Sequence, residues 1–156
     1  MHHSSAKLLT FAIDRQRFAI GADFIQEVVR AVRLAQIPDA PRIVEGLIDL
    51  RGTVVPVLDI RARFRLPRKA LAPPDHIVIA QARGRTVGLR VDRALGVIDV
   101  SDADIAAIDG LTPAGDLISG VAKLPDGLLF IHDLATFLSE AEAQSLDELV
   151  AEGRPS

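Results

Sequence analysis

The sequence predicts a mainly β protein assembled as small barrels or a sandwich. Three observations carry that expectation. Short apolar runs alternate with tight polar turns along most of the chain. Helical periodicity is confined to a few places, and one strand-turn-strand pattern returns 74 residues later.

The elements follow in order. Residues 8–13 and 18–20 flank the polar tip Asp14-Arg15-Gln16 and read as a hairpin. Residues 47–50 and 54–58 flank Arg51-Gly52, a second hairpin, and residues 76–82 and 86–91 flank Arg83-Gly84, a third. Residues 128–131 follow Asp126-Gly127, a strong short-turn signal. Pro56 has no N–H to give a ladder, which predicts an edge strand or a bulge at 54–58. Pro41 suits the first turn of a one-turn helix ending near Val44. Asp133 is placed to cap a helix whose Leu134, Phe137, Leu138 and Ala141 share a face. Ser139 and Glu142 then have capping-box spacing for a second helix running to about Gly153, with Leu146, Leu149 and Val150 packed on the body. Pro73-Pro74 is the natural break inside the chain.

The repeat lays residues 46–59 on residues 120–133 without a gap. Glycine, leucine, an apolar run and a closing aspartate coincide at the same offsets. Such a repeat implies two similar β-rich halves that bury their open faces against each other.

Composition narrows the function. Of 156 residues 49% are hydrophobic, enough for one compact domain or two half-domains sharing a core. There is no cysteine, which excludes a disulfide framework, a thiolate zinc site and a cysteine nucleophile. No uncharged run exceeds seven residues, so neither a membrane span nor a signal-peptide core is expected, and the expected location is the cytoplasm. Residues 1–5 read as an unstructured start. Charge is uneven: residues 1–70 hold 12 basic and 7 acidic groups, residues 71–156 hold 6 basic and 14 acidic. Arg61, Arg63, Arg65, Arg68 and Lys69 form the densest basic segment, which reads first as a solvated loop. Nucleic-acid binding would want stacking aromatics, and the chain has no Trp, no Tyr and six Phe.

Catalytic candidates are sparse. His76 stands beside Asp75 and His132 beside Asp133, but neighbours on a strand point to opposite faces and do not converge on one ion. Asp59 and Asp133 form a conceivable carboxylate pair, yet each precedes a helical pattern where an N-cap accounts for it. There is no nucleophile elbow, phosphate loop or dinucleotide fingerprint. The residues describe a binding module, not an enzyme, with no metal and no cofactor.

Residues 37–61, from Ile37-Pro38-Asp39-Ala40-Pro41 through Gly46 and Asp49-Leu50-Arg51-Gly52 to Val57-Leu58-Asp59, resemble the signature of the CheW-like coupling proteins of bacterial chemotaxis. The resemblance continues through Phe18-Ala19-Ile20, Ile25-Gln26-Glu27-Val28, the 86–92 run, Ile118-Ser119-Gly120-Val121 and Ile131-His132-Asp133-Leu134, and covers essentially residues 6–140. One departure is Asp49, where the family favours Asn, a difference that bears on receptor matching.

The resemblance implies a single CheW-like domain over 1–156, built as two SH3-like five-stranded β-barrels side by side with short helices. The implied subdomains are 15–85, then 6–14 with 86–140, and a C-terminal helix at 140–153. It also implies a non-catalytic adaptor linking the cytoplasmic tip of a methyl-accepting chemoreceptor to the regulatory domain of the histidine kinase CheA. Such an adaptor is cytoplasmic, recruited to receptor arrays at the inner membrane, and binds no nucleic acid. Ile25, Glu27, Gly46 and Arg51 match family positions linked to receptor or kinase coupling, and Val78, Gly88 and Val97 match positions lining or supporting the inter-barrel region. Each also has a plain structural reading: Ile25, Val78 and Val97 as core, Gly46 and Gly88 as close-packing sites, and Glu27 with Arg51 as a salt bridge. Two alternatives stand beside the adaptor. One is a scaffold of the same fold in a motility or developmental chemosensory pathway. The other is a small metal-dependent hydrolase using Asp59, His132 and Asp133.

Overall fold

The computed structural model describes residues 5–30, 33–36, 38, 43–63, 66–67, 75–106, 118–132, 142–144 and 146–148. Among these, eleven strands form two sheets. They are β1 (Ser5–Ile13), β2 (Gln16–Gly21), β3 (Ile25–Arg30), β4 (Val44–Leu50), β5 (Thr53–Leu58), β6 (His76–Ala82), β7 (Arg85–Val91), β8 (Arg93–Ser101), β9 (Ile105–Ala106), β10 (Ile118–Leu124) and β11 (Gly127–His132). A short helix, α1 (Ile60–Arg63), follows β5. One sheet has the order β8-β1-β2-β11-β10-β9, the other β3-β6-β7-β5-β4.

Three apolar clusters hold this arrangement, and strand alternation fills them. On β6, Ile77 and Ile79 point into the five-stranded sheet's own interior with Val55 and Val57, while Val78, Ala80 and Ala82 point to the other sheet. On β1, Leu8 joins Ala19, Ala122, Leu129 and Ile131 inside the six-stranded sheet, while Leu9, Phe11 and Ile13 face the first. Each sheet therefore curls around a small core, and a larger core is shared between them. This is the pair of SH3-like barrels that the resemblance implies, except that one sheet has six strands and not five, because the two-residue β9 pairs with β10. The strands read as nearly continuous apolar runs because the central ones are buried on both faces.

The 74-residue repeat is structural down to its irregularities. The β4–β5 ladder slips between Val44 and Gly46, opposite Leu58 and Val57, and the β10–β11 ladder slips between Ile118 and Gly120, opposite His132 and Ile131. Those partners lie at the repeat offset. Both glycines sit where a Cβ could not: at Gly46 it would meet the Ala35 carbonyl oxygen at 2.8 Å, at Gly120 the Ile105 side chain at 2.9 Å.

Several local expectations are corrected. Residues 16–21 pair with β1 and residues 85–91 pair with β6 and β5, so the sheets part after Gly21 and again at Asp92, not at residues 15 and 86. β5 is an interior strand; its ladder to β7 covers only Val57 and Leu58, which leaves Pro56 with one neighbour, Leu47 of β4. Val44 opens β4 instead of closing a helical turn. The last hairpin pairs Leu124 with Gly127, so its turn residues are Pro125 and Asp126. Residues 142–144 and 146–148 are helical, with Ala143 and Leu146 buried. The remainder of the expected 140–153 helix, the Asp133 cap and Pro73-Pro74 lie outside the described residues.

Candidate protein-interaction surface

Glu27 and Arg51 are brought together by closure of the five-stranded sheet. Their strands, β3 and β4, stand at opposite ends of the strand order, yet Arg51 Nη2 donates to Glu27 Oε2. The backbone closes alongside: Ala35 and Leu47 exchange N–H···O bonds of 2.8 and 2.9 Å. Glu27 enters this contact because the β3–β6 ladder slips between Ile25 and Glu27, which turns Glu27 towards the barrel side while Ile25 packs on the shared core.

Arg51 and Gly52 are the turn residues of the β4–β5 hairpin, with φ of 51° and 88°. Both are left-handed, the requirement of a tight hairpin turn matching strand twist. Asp49 fastens the turn by accepting the Gly52 N–H at 2.7 Å, a role in which an Asn side chain also serves. The Arg51 side chain remains largely exposed, and the hydrogen bond to Glu27 raises its pKa further.

A second feature is apolar. Val97 of β8 lies opposite Leu9, and Val28 of β3 lies opposite Val78. Leu9 and Val78 belong to the shared core, so both valines continue its face outward to the sheet edges. There they are 58% and 37% exposed, joined by Leu95 at 42%. Leu95 has no ladder partner because β8 bulges between Ala94, opposite Phe11, and Gly96, opposite Thr10. Phe24, also exposed, packs its ring over Gly21, which shares a ladder row with Leu8 and Ile98, so it belongs to the other face, the one that lines the six-stranded sheet's own core. The two sheets come together at one end, where the Ala94 N–H of β8 is bonded at 3.2 Å to Nδ1 of His76, the β6 partner of Arg30 at the end of β3. Single exposed apolar residues are ordinary, but Val28, Leu95 and Val97 on the outer strands of two such sheets make a seam suited to a protein partner.

The remaining expected site residues divide clearly. Val78 is fully buried in the shared core and Gly88 faces the inner core, where a Cβ would meet Ile77 Cγ2 at 2.8 Å and Val57 Cγ2 at 3.2 Å. Neither reaches a partner directly. Gly46 permits the barrel closure at Ala35. Val97, read as core or inter-barrel lining, is the most exposed large apolar side chain among the described residues. Val28 and Leu95 were missed, since an apolar residue on an edge strand looks in sequence like one on a central strand.

Asp133 lies outside the described residues, and the other catalytic candidates have structural roles. Asp59 accepts the Ala62 N–H at 3.0 Å and caps α1, and the buried His132 lies edge-on to Phe11 and Phe18. Burial pushes the His132 pKa down to about 3. Asp75 pairs with Arg90. Among the described residues no three His, Asp or Glu side chains stand close enough to share a metal ion.

Arg61 also departs from expectation. It is buried, not solvated, and forks onto Asp14 at 2.7 and 3.1 Å, onto Asp92 at 2.8 and 2.9 Å, and onto the Pro67 carbonyl at 3.1 Å. The side chains of Arg63, Arg65, Arg68 and Lys69 lie outside the described residues.

Paired barrels with an apolar seam and an ionic hairpin define a class of β protein built for contact with other proteins. Comparison with known proteins agrees. The CheW-like domain family matches residues 7–142, and the chain belongs to that family. It is 30% identical over 141 residues to the chemotaxis protein CheW of Bacillus subtilis, covering 89% of this chain and 90% of that one. It is 28% identical over 151 residues to the CheW protein of Treponema pallidum, with 92% and 88% covered. The crystal structure of a scaffolding CheW from Thermoanaerobacter tengcongensis superposes with a TM-score of 0.81 at 26% identity, covering 89% of this chain and 96% of that one. The chain is thus a chemotaxis scaffold of the CheW family. No helix among the described residues is long and apolar enough to cross a membrane.

Proposed function

We propose that this protein couples the cytoplasmic tip of a chemoreceptor to the regulatory domain of the histidine kinase CheA, in the cytoplasm beside receptor arrays, without catalysing a reaction. The observation that supports this reading is the seam of Val28, Leu95 and Val97, where the face that forms the shared core reaches solvent. A receptor tip is helical, and the apolar stripe of a helix is the natural occupant of such a seam. Arg51 adds a planar, permanently charged fork for a carboxylate or carbonyl on the partner. The kinase domain then uses other barrel surfaces. Titration of the protein with a receptor-tip helical hairpin and, separately, with the kinase regulatory domain tests this. Val28→Asp and Val97→Asp should each weaken receptor-tip binding at least tenfold. Normal binding by both variants would refute the reading.

A further inference from the structure

The chain passes from the five-stranded to the six-stranded sheet at Asp92, between β7 and β8. Its N–H and both carboxylate oxygens are held. Its N–H donates to the Ala12 carbonyl at 3.0 Å, Oδ2 accepts the Asp14 N–H at 2.7 Å, and both oxygens accept from Arg61. Arg61 comes from α1, the continuation of β5 in the other sheet, and its second fork grips Asp14 at the β1–β2 turn. One buried guanidinium therefore joins the two sheets at the root of β8. Asp14 has φ 54°, a left-handed backbone that this contact helps to hold.

We propose that Arg61, Asp14 and Asp92 form a positioning device that sets the angle between the sheets and so the width of the seam. Val97 lies five residues beyond Asp92, roughly 17 Å along an extended strand, so a tilt of about 10° at the root moves it by about 3 Å. That is enough to misfit a helix. The charge of Arg61 alone does not suffice, because only a planar five-donor fork serves two carboxylates and a carbonyl together. The claim about the seam rests on the docking reading above; the claim about the sheets does not.

Backbone residual dipolar couplings give each sheet's alignment separately. In the wild type one alignment tensor should fit both sheets. In Arg61→Met the sheets should require two, and Arg61→Lys should behave like Arg61→Met. Receptor-tip affinity should fall at least tenfold in both. Val55→Ala, a core variant inside one sheet, lowers the melting temperature but should keep a single tensor and near-normal affinity. If Arg61→Met does not fold, Asp14→Asn carries the same two measurements. A single tensor in the Arg61 variants, or receptor-tip affinity unchanged where Val97→Asp abolishes it, would overturn the device. Binding unaffected by Val97→Asp, with two tensors in Arg61→Met, would leave the device standing and remove the docking reading instead.

Discussion

Glu27 and Arg51 are ion-paired across a sheet whose strand order places them at opposite ends. The pair joins a β3 residue to the β4–β5 turn and marks where the barrel closes. It also ties an exposed guanidinium to an intramolecular carboxylate.

Arg51→Ala should leave the melting temperature nearly unchanged, because an exposed ion pair adds at most about 1 kcal/mol. Relief of the left-handed backbone is small for the same exchange of one non-glycine residue for another. Receptor-tip binding should weaken by roughly 1–3 kcal/mol if the contact is charge-assisted, with Arg51→Lys recovering part. A thermal melt and a titration measure both. A large drop in melting temperature with normal binding would make the pair structural.

Gly88→Ala and Gly46→Ala should both destabilise, by about 1–3 kcal/mol for overpacking, but through different contacts. At Gly88 the new methyl group meets the ends of Ile77 and Val57, which can shift. At Gly46 it meets the Ala35 backbone and breaks the closure with Leu47. Amide exchange at Ala35 and Leu47 should therefore quicken in Gly46→Ala and not in Gly88→Ala.

Acid should unfold the protein partly through His132. Burial depresses its folded pKa to about 3, against 6.5 for a free imidazole. Between those values the unfolded chain binds the proton and the folded chain does not, so this stabilisation is complete above about pH 6.5 and falls as pH drops towards 3. The slope for one group is at most about 1.4 kcal/mol per pH unit. Unfolding free energies of the wild type and His132→Leu across pH 4–7 should show the slope reduced in the variant.

Kinase binding should weaken with salt. The first seventy residues are net basic and the remainder net acidic, and exposed charges are screened over roughly 10 Å at 0.1 M ionic strength. An affinity that stays flat from low to high salt would point to an apolar kinase interface.

Much of this was legible in the sequence. The hairpin turns at Arg51-Gly52 and Arg83-Gly84 carry their own signals, and the repeat set Gly46 against Gly120, though the matching ladder slips at those glycines showed only in the structure. What was hidden is what depends on curl and distance. Arg61 read as part of a solvated run because its partners Asp14 and Asp92 are 47 and 31 residues away. Val78 and Val97 are the same residue type in similar apolar strands, and only the sheet order separates a central position from an edge.

The central claim is that the outer strands of the two sheets receive the receptor tip. Isothermal titration of Val97→Asp with the receptor-tip hairpin tests it most directly, since Val97 is already solvated and the change should leave the fold intact. The account predicts at least a tenfold loss of receptor-tip affinity with the melting temperature and kinase affinity nearly unchanged. Wild-type receptor-tip affinity in a folded Val97→Asp protein would contradict it.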